Sequence, residues 1–198
     1  YPGLADRDML SLMKASGCHT VVIGIDSADM NMLKTYGRRL SLERIERFLA
    51  DCQSLGIDVC GDFILGLGQE TEDSVKRTVD LALRSPLAYA SINIATPLFG
   101  SSLREQARLE GRLEGQADGF VTAGNTVLGA GLIGPDRLKT LRQQANRAFY
   151  LRPSYLGRRL TRIRNLEHLA IQALEASAMA ENYFRRLIGT SASLRPGE

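Results

Sequence analysis

Tryptophan is absent from the 198 residues, aromatic residues make up only 6%, and His19 and His168 are the two histidines. Cysteine is nearly as scarce: Cys18, Cys52 and Cys60 form an odd set, 34 and 8 residues apart, with no CxxC or CxxxCxxC run. That set makes no secreted disulfide framework and points to a reducing cytoplasm. Its ligand spacing also gives no reason to expect a self-contained zinc or iron–sulfur site on this chain. Long apolar runs are missing too. The longest, Thr20–Ile25 and Phe63–Leu67, reach about six residues, far short of the roughly 18–20 that a membrane helix needs. Tyr1–Asp6 have neither the basic start nor the apolar stretch of a secretory signal. Without an initiator methionine, the chain is expected to be a piece of something longer. What remains is 44% hydrophobic and 24% charged, too apolar for general disorder and ample for one core, alone or with an appendage.

The net charge of +3 conceals an asymmetry. Residues 1–134 hold 13 basic residues against 17 acidic, whereas residues 135–164 hold nine basic residues against Asp136 alone. Such a segment fits a solvated helix face, an acidic partner domain, a carboxylated substrate or an anionic membrane surface. No RNA-reading motif accompanies it, so nucleic acid is not expected as a partner.

Two periodicities alternate through the first 110 residues. The spacing predicts a helix over Asp8–Ser16, a strand buried on both faces over His19–Ile25, and a short helix over Asp29–Tyr36 capped by Ser27. A longer helix begins after Ser41, followed by a strand over Ile57–Leu65. Thr71 caps a helix with Val75, Val79, Ala82 and Leu83 on its apolar face. A strand over Ala88–Ala95 and a helix with a Ser102/Glu105 capping box complete the series. Strand–helix repeats of this length make parallel crossovers, so the fold class is α/β with a parallel sheet. Glycines cluster over 111–134, which reads as an irregular linker. Residues 135–189 read as an α-helical extension, broken at Arg152-Pro153, and 190–198 as a disordered tail.

Three strand ends carry polar or glycine-rich residues: Asp26-Ser27 after the first, Asp62 through Gly68 in and after the second, and Thr96-Pro97 after the third. Ligands of parallel α/β folds bind at the C-terminal ends of strands. Each feature has a plainer reading: Asp26 and Ser27 as helix caps, Gly66 and Gly68 as turn glycines, Thr96-Pro97 as a strand terminator. No nucleophile–base pair or phosphate loop is present, so no catalytic residue or metal ligand is assigned.

These three runs carry a resemblance. Met13–Ser27 reads MKASGCHTVVIGIDS, Gly61–Thr71 reads GDFILGLGQET, and Ile92–Ser101 reads INIATPLFGS. In order and spacing they resemble the fourth, fifth and sixth strand segments of radical S-adenosylmethionine enzymes, which commonly read AGC…IGIES, GxFIxGLPGET and ATPxPGT. The stretch Ala148–Tyr155, AFYLRPSY, is similar to an FYLRP segment of the cobalamin-binding subgroup that includes relatives of the anaerobic magnesium-protoporphyrin ester cyclase. The resemblance implies that residues 1–110 form the C-terminal half of a partial (β/α)6 parallel barrel. It implies S-adenosylmethionine and a [4Fe–4S] cluster for the whole protein, with cobalamin as an option, and no cofactor held by this chain alone. It further implies that Asp26, Ser27, Asp62, Ile64, Gly66, Thr96 and Pro97 line the S-adenosylmethionine site. Carboxylates at 26 and 62 would meet the ribose or amino-acid part, and the backbone near Ile64 would meet the adenine.

The departures are as specific as the matches. The family's cluster-binding CxxxCxxC, its first three strands and any cobalamin domain are absent from these 198 residues. Asp26 stands where Glu or Gln is commoner, and Gly68-Gln69 where Pro-Gly is usual. The expected partners are therefore the N-terminal barrel half, a cobalamin domain and a small-molecule substrate, with peripheral membrane contact as a further option. The whole protein is expected to cleave S-adenosylmethionine reductively and to modify an unactivated C–H position by methylation, cyclisation or rearrangement. The alternative is a non-catalytic binding or scaffold module built on a half-barrel. In either case an open first strand, with Val21, Ile23 and Ile25 on its exposed inner face, is expected to make the isolated chain self-associate.

Overall fold

The computed structural model describes residues 5–111 and 132–161. Three parallel strands lie side by side in chain order: β1 (Thr20–Asp26), β2 (Asp58–Leu65) and β3 (Tyr89–Ile94). Helices α2 (Met30–Thr35) and α3 (Leu42–Ser54) make the first crossover, and α4 (Glu72–Arg84) makes the second. Helix α1 (Arg7–Ala15) precedes the sheet, and α5 (Ser102–Leu109) and α6 (Pro135–Tyr150) follow it in the same compact unit. Helix α7 (Pro153–Thr161) belongs to a second unit that begins at Leu151. Residues 112–131 of the expected linker, and the expected helix and tail beyond 161, lie outside the described residues.

The helix starts follow capping chemistry. The side chains of Asp6, Asp29, Ser41, Thr71 and Ser101 each accept a first-turn backbone N–H of α1 to α5 in turn. Two caps differ from expectation. Asp29 caps α2, while Ser27 lies two residues upstream with its hydroxyl accepting the Asp29 N–H at 3.0 Å. Ser101 caps α5, because Ser101 has the extended backbone and Ser102 is already helical. The buried face of α4 is also turned by about one position, to Val75, Thr78, Leu81 and Ala82.

Alternation along the strands sorts the sheet into two faces. On one, Ile23 and Ile25, Val59, Phe63 and Leu65, and Ala90, Ile92 and Ile94 are buried with the apolar stripes of α3, α4 and α6. Gly61 sits in the middle of this face, where a Cβ would come within 2.9 Å of Leu87 and 3.2 Å of Ile25. The other face presents Val22 and Gly24, then Cys60, Asp62 and Ile64, then Tyr89, Ser91 and Asn93. Gly24 aligns with Asp62, and Asp62 with Ser91. Val22 is 64% exposed, so β1 is not buried on both faces. Ile23 and Ile25, expected on the open face, lie on the helix side, where alternation also puts Val21. A one-residue shift in register exchanges the two faces.

The two sheet edges differ. At β3 the Tyr150 hydroxyl donates to the Ala90 carbonyl at 2.8 Å and accepts the Ala90 N–H at 3.2 Å. A side chain thus takes the place of the next strand. At β1 the one strand partner among the described residues is β2. Replacing Tyr150 by phenylalanine keeps the ring and strands both Ala90 groups. The expected loss is about 1–3 kcal/mol, read from urea unfolding midpoints, together with faster exchange of the Ala90 amide. Unchanged stability and exchange would show that water replaces the hydroxyl.

A bidentate Arg137–Glu72 pair at 2.6–2.7 Å joins α6 to α4, so part of the basic segment is engaged within the sheet unit. No helix among the described residues is long and apolar enough to cross a membrane.

Candidate functional site

The parallel strands bring Asp26, Leu65 and Ile94 to one end of the sheet. There β1 ends abruptly. The Ser27 N–H bonds back to the Ile25 carbonyl at 2.8 Å, a three-residue turn about Asp26, whose φ is 63°. Among the described residues Asp26 is the one non-glycine with positive φ. Such a conformation costs roughly 1–3 kcal/mol and persists where its surroundings over-determine it, commonly at functional sites. The strand register shifts between Gly24 and Asp26, the kind of irregularity that re-aims a side chain.

The Asp26 carboxylate is consequently folded back over Gly24. A Cβ added at Gly24 would lie 3.4 Å from Asp26 Oδ1 and 3.6 Å from Arg38 Nη2. Arg38 Nε donates to Asp26 Oδ2 at 2.8 Å, with the carboxylate side chain only 6% exposed. Burial pushes the Asp26 pKa above its ordinary value; Arg38 opposes the shift and the neighbouring charge of Asp62 adds to it. Asp62 stands beside Gly24 in register on the open face, with Ser91 on its other side and Asn93 Nδ2 donating to Ser91 Oγ at 3.0 Å. Two carboxylates and a guanidinium therefore surround a bare glycine. Carboxylates accept the hydroxyls of a sugar or pair with a cation, and a guanidinium pairs with a carboxylate.

Beyond Asp62 the surface turns apolar. Ile64, Met32 and Tyr36 pack against a cluster of Leu67, Ala95, Leu103 and Ala107. The loop that follows β2 is tied inward. The fully buried Glu70 accepts the Gly66 N–H through Oε2, while its Oε1 has no hydrogen-bond partner. Burial pushes its carboxyl up to about 7, against the pull of the Gly66 and Leu67 amides.

The structure thus brings Asp26, Asp62 and Ile64 to one surface and turns the other candidates elsewhere. Ser27 is buried, with its hydroxyl 3.2 Å from that of Thr78 on α4. Gly66 has φ 84°, and a Cβ there would meet Leu138 of α6 at 2.7 Å, so its bareness serves helix packing. Thr96 Oγ1 donates to the Ile94 carbonyl at 3.4 Å, and the carbonyl of Pro97 accepts Arg104 Nη1 at 3.2 Å, which makes both part of the strand end. Arg38, Gly24, Tyr36 and Glu70 are additions that sequence reasoning missed. The available signal for Arg38 was Gly37: at φ 70° it stops α2, and the Arg38 N–H closes on Leu33 O at 2.8 Å, turning the chain back toward β1.

No three His, Cys, Asp or Glu side chains come together to hold a metal among the described residues. Cys18 precedes β1, Cys52 is buried in α3 and Cys60 lies in β2. These cysteines do not fit a [4Fe–4S] cluster.

Comparison with known proteins agrees with this architecture. Residues 2–82 match the Radical SAM superfamily. A curated relative called an uncharacterized methyltransferase, from Pyrococcus horikoshii, is 31% identical over 144 residues, covering 73% of this chain and 31% of the relative. Cytidylyl-2-hydroxyethylphosphonate methyltransferase of Streptomyces wedmorensis is 30% identical over 113 residues, covering 54% of this chain and 21% of that enzyme. Among solved structures, coproporphyrinogen III oxidase of Escherichia coli, a radical SAM enzyme, shares the fold over 76% of this chain and 30% of its own, with a TM-score of 0.54 and 18% identity. The fold is part of a parallel (β/α) barrel, and the chain belongs to the radical S-adenosylmethionine superfamily. It spans less than a third of the length of each of these two curated relatives.

Proposed function

We propose that this chain supplies the C-terminal, S-adenosylmethionine-facing part of a radical SAM methyltransferase that acts on a small molecule in the cytoplasm and uses cobalamin. The observation that carries the reading is the strained Asp26, held by Arg38 over Gly24 beside Asp62. These residues fit S-adenosylmethionine chemically. Asp62 is placed to accept ribose hydroxyls. Asp26 and Arg38 offer opposite charges to the ammonium and carboxylate of the amino-acid part. Ile64 and its apolar neighbours offer a dry surface to the adenine. The strain at Asp26 fixes the pair before ligand arrives, which lowers the ordering cost of binding.

When bound, S-adenosylmethionine supplies a sulfonium whose reductive cleavage starts C–H chemistry, with the electron delivered by an iron–sulfur cluster. The three cysteines here do not hold that cluster, so it comes from polypeptide outside this chain. The same polypeptide would add parallel strands at the β1 edge, where β2 is the one strand partner among the described residues. The two relatives named as methyltransferases support methyl transfer as the reaction class.

The test is calorimetric titration of S-adenosylmethionine into the 198-residue chain and its Asp26→Asn and Asp62→Asn variants. One-site binding is expected, in contrast to the sequence-based expectation of no cofactor on this chain alone, because Asp26, Arg38 and Asp62 come together within it; either change should weaken it about tenfold or more, the worth of one charge-assisted hydrogen bond. Asparagine tolerates the positive φ, so Asp26→Asn reads charge rather than folding. A chain that binds nothing, or variants that bind as the parent does, would support the non-catalytic module instead.

A further inference from the structure

Helix α4 buries a threonine among apolar residues: Thr78 lies on the face that carries Val75, Leu81 and Ala82. Valine would fill the same space, whereas a buried hydroxyl is costly unless its hydrogen and its lone pairs are used. In a helix the hydrogen can go to the carbonyl one turn back, and Thr78 Oγ1 donates to the Ser74 carbonyl at 3.0 Å. Two lone pairs are then left inside the protein, where Thr78 and Ser27 are both buried. The turn that follows Asp26 takes both. The Ala28 N–H donates to Thr78 Oγ1 at 3.1 Å, and the Ser27 hydroxyl lies 3.2 Å from the same oxygen. Because the Thr78 hydrogen is committed to Ser74, Ser27 is the donor in that bond, and its own oxygen accepts the Asp29 N–H at 3.0 Å.

These bonds fall one and two residues beyond Asp26. A strained φ persists where the chain on both sides of it is held. Upstream of Asp26 the hold is the pairing of β1 with β2, and downstream it is Thr78. The next residue, Asp29, caps α2 and pairs with Arg77, the neighbour of Thr78 on α4, at 3.2 Å. Helix α2 and Gly37 then deliver Arg38 to Asp26. One turn of α4 therefore reaches both partners of the Asp26–Arg38 pair. The exposed Arg77–Asp29 pair is the weaker tie and the buried hydroxyl the stronger.

We propose that Thr78 is a positioning residue, whose buried hydroxyl gathers Ser27 and Ala28 onto α4 and so holds Asp26 in the conformation that meets Arg38. The consequence for ligand affinity rests on the S-adenosylmethionine reading above; the positioning of Asp26 does not.

The test compares Thr78→Val, Thr78→Ser and Ser27→Ala with the parent 198-residue chain. Valine keeps the shape and removes the hydroxyl, and serine keeps the hydroxyl. Hydrogen exchange of the Ala28 amide and of Arg38 Nε–H is read by NMR without ligand, and S-adenosylmethionine affinity by calorimetry. In Thr78→Val, Ala28 exchange should rise about tenfold, Arg38 Nε–H exchange about threefold or more, and affinity should fall about fivefold, the scale of one buried hydrogen bond. Thr78→Ser should restore most of each effect. Ser27→Ala leaves Thr78 to accept Ala28 and should move Arg38 Nε–H in the same direction by less, which keeps the proposal open to refutation if Thr78→Val folds poorly. Ser85→Ala is the control: it removes a buried hydroxyl bond at the other end of α4, 2.7 Å to the Leu81 carbonyl, and should leave Ala28 and Arg38 unmoved. Arg38 Nε–H exchange unchanged in both Thr78→Val and Ser27→Ala, or raised equally by Ser85→Ala, overturns the proposal. Faster exchange at Ala28 and Arg38 in a chain that takes up no S-adenosylmethionine keeps the positioning role and overturns the ligand reading.

Discussion

Between about pH 5 and about pH 8 the chain should lose on the order of 2–3 kcal/mol of stability through Glu70 alone. The carboxyl is fully buried with one oxygen unpartnered, and burial raises it from 4.5 to about 7 in the folded state. Between those values the folded chain keeps a proton that the unfolded chain has released, so stability falls as pH rises. The contribution is complete below about 4.5 and gone above about 7. Urea unfolding at the two pH values measures the change, and Glu70→Gln isolates it. The difference between parent and variant should change by that amount across the range. A pH-independent difference would mean that Glu70 is ionised throughout or that water reaches it.

Gly66→Ala should destabilise the chain by about 3 kcal/mol. Two costs combine there. The left-handed conformation at φ 84° penalises any Cβ by roughly 1–2 kcal/mol. The new methyl would also lie 2.7 Å from Leu138 Cδ1 in a filled core, and overpacking costs about 1–3 kcal/mol. Gly37→Ala is the control. Its φ is 70° with nothing within 4 Å of the added carbon, so about 1 kcal/mol is expected from conformation alone. Equal losses at the two positions, measured by denaturant unfolding, would show that α6 gives way and that Leu138 does not press on the β2 loop.

Why some of this was legible in the sequence and some was not follows from where each residue gets its position. Asp62 is legible as a strand carboxylate, and the alternation around it, with its period of two, fixes its face. Thr20–Ile25 is apolar or β-branched at nearly every position, so periodicity cannot assign a face. Ile23 and Ile25 are thus expected on the open face, and their burial on the helix side is a tertiary fact. Asp26 stands out as a carboxylate at a strand end, whereas its positive φ and its pairing belong to the fold. Arg38 arrives from a different element, turned back by Gly37, and no local pattern links it to Asp26. Ser27 looks like a cap and a ligand group alike. Its neighbour Asp29 has the geometry to cap α2, and Thr78 takes the Ser27 hydroxyl. The resemblance over three strand segments carried the fold class and the family.

The proposed S-adenosylmethionine site is the open face at the end of β1, over Gly24. Amide chemical-shift mapping of the chain during titration with S-adenosylmethionine tests it most directly. Saturable shifts are expected at Gly24–Ser27, Arg38 and Asp62–Gly66, with the outer faces of α3 and α4 unmoved. Shifts confined to the helix-covered side, or none at all at saturating ligand, would contradict it.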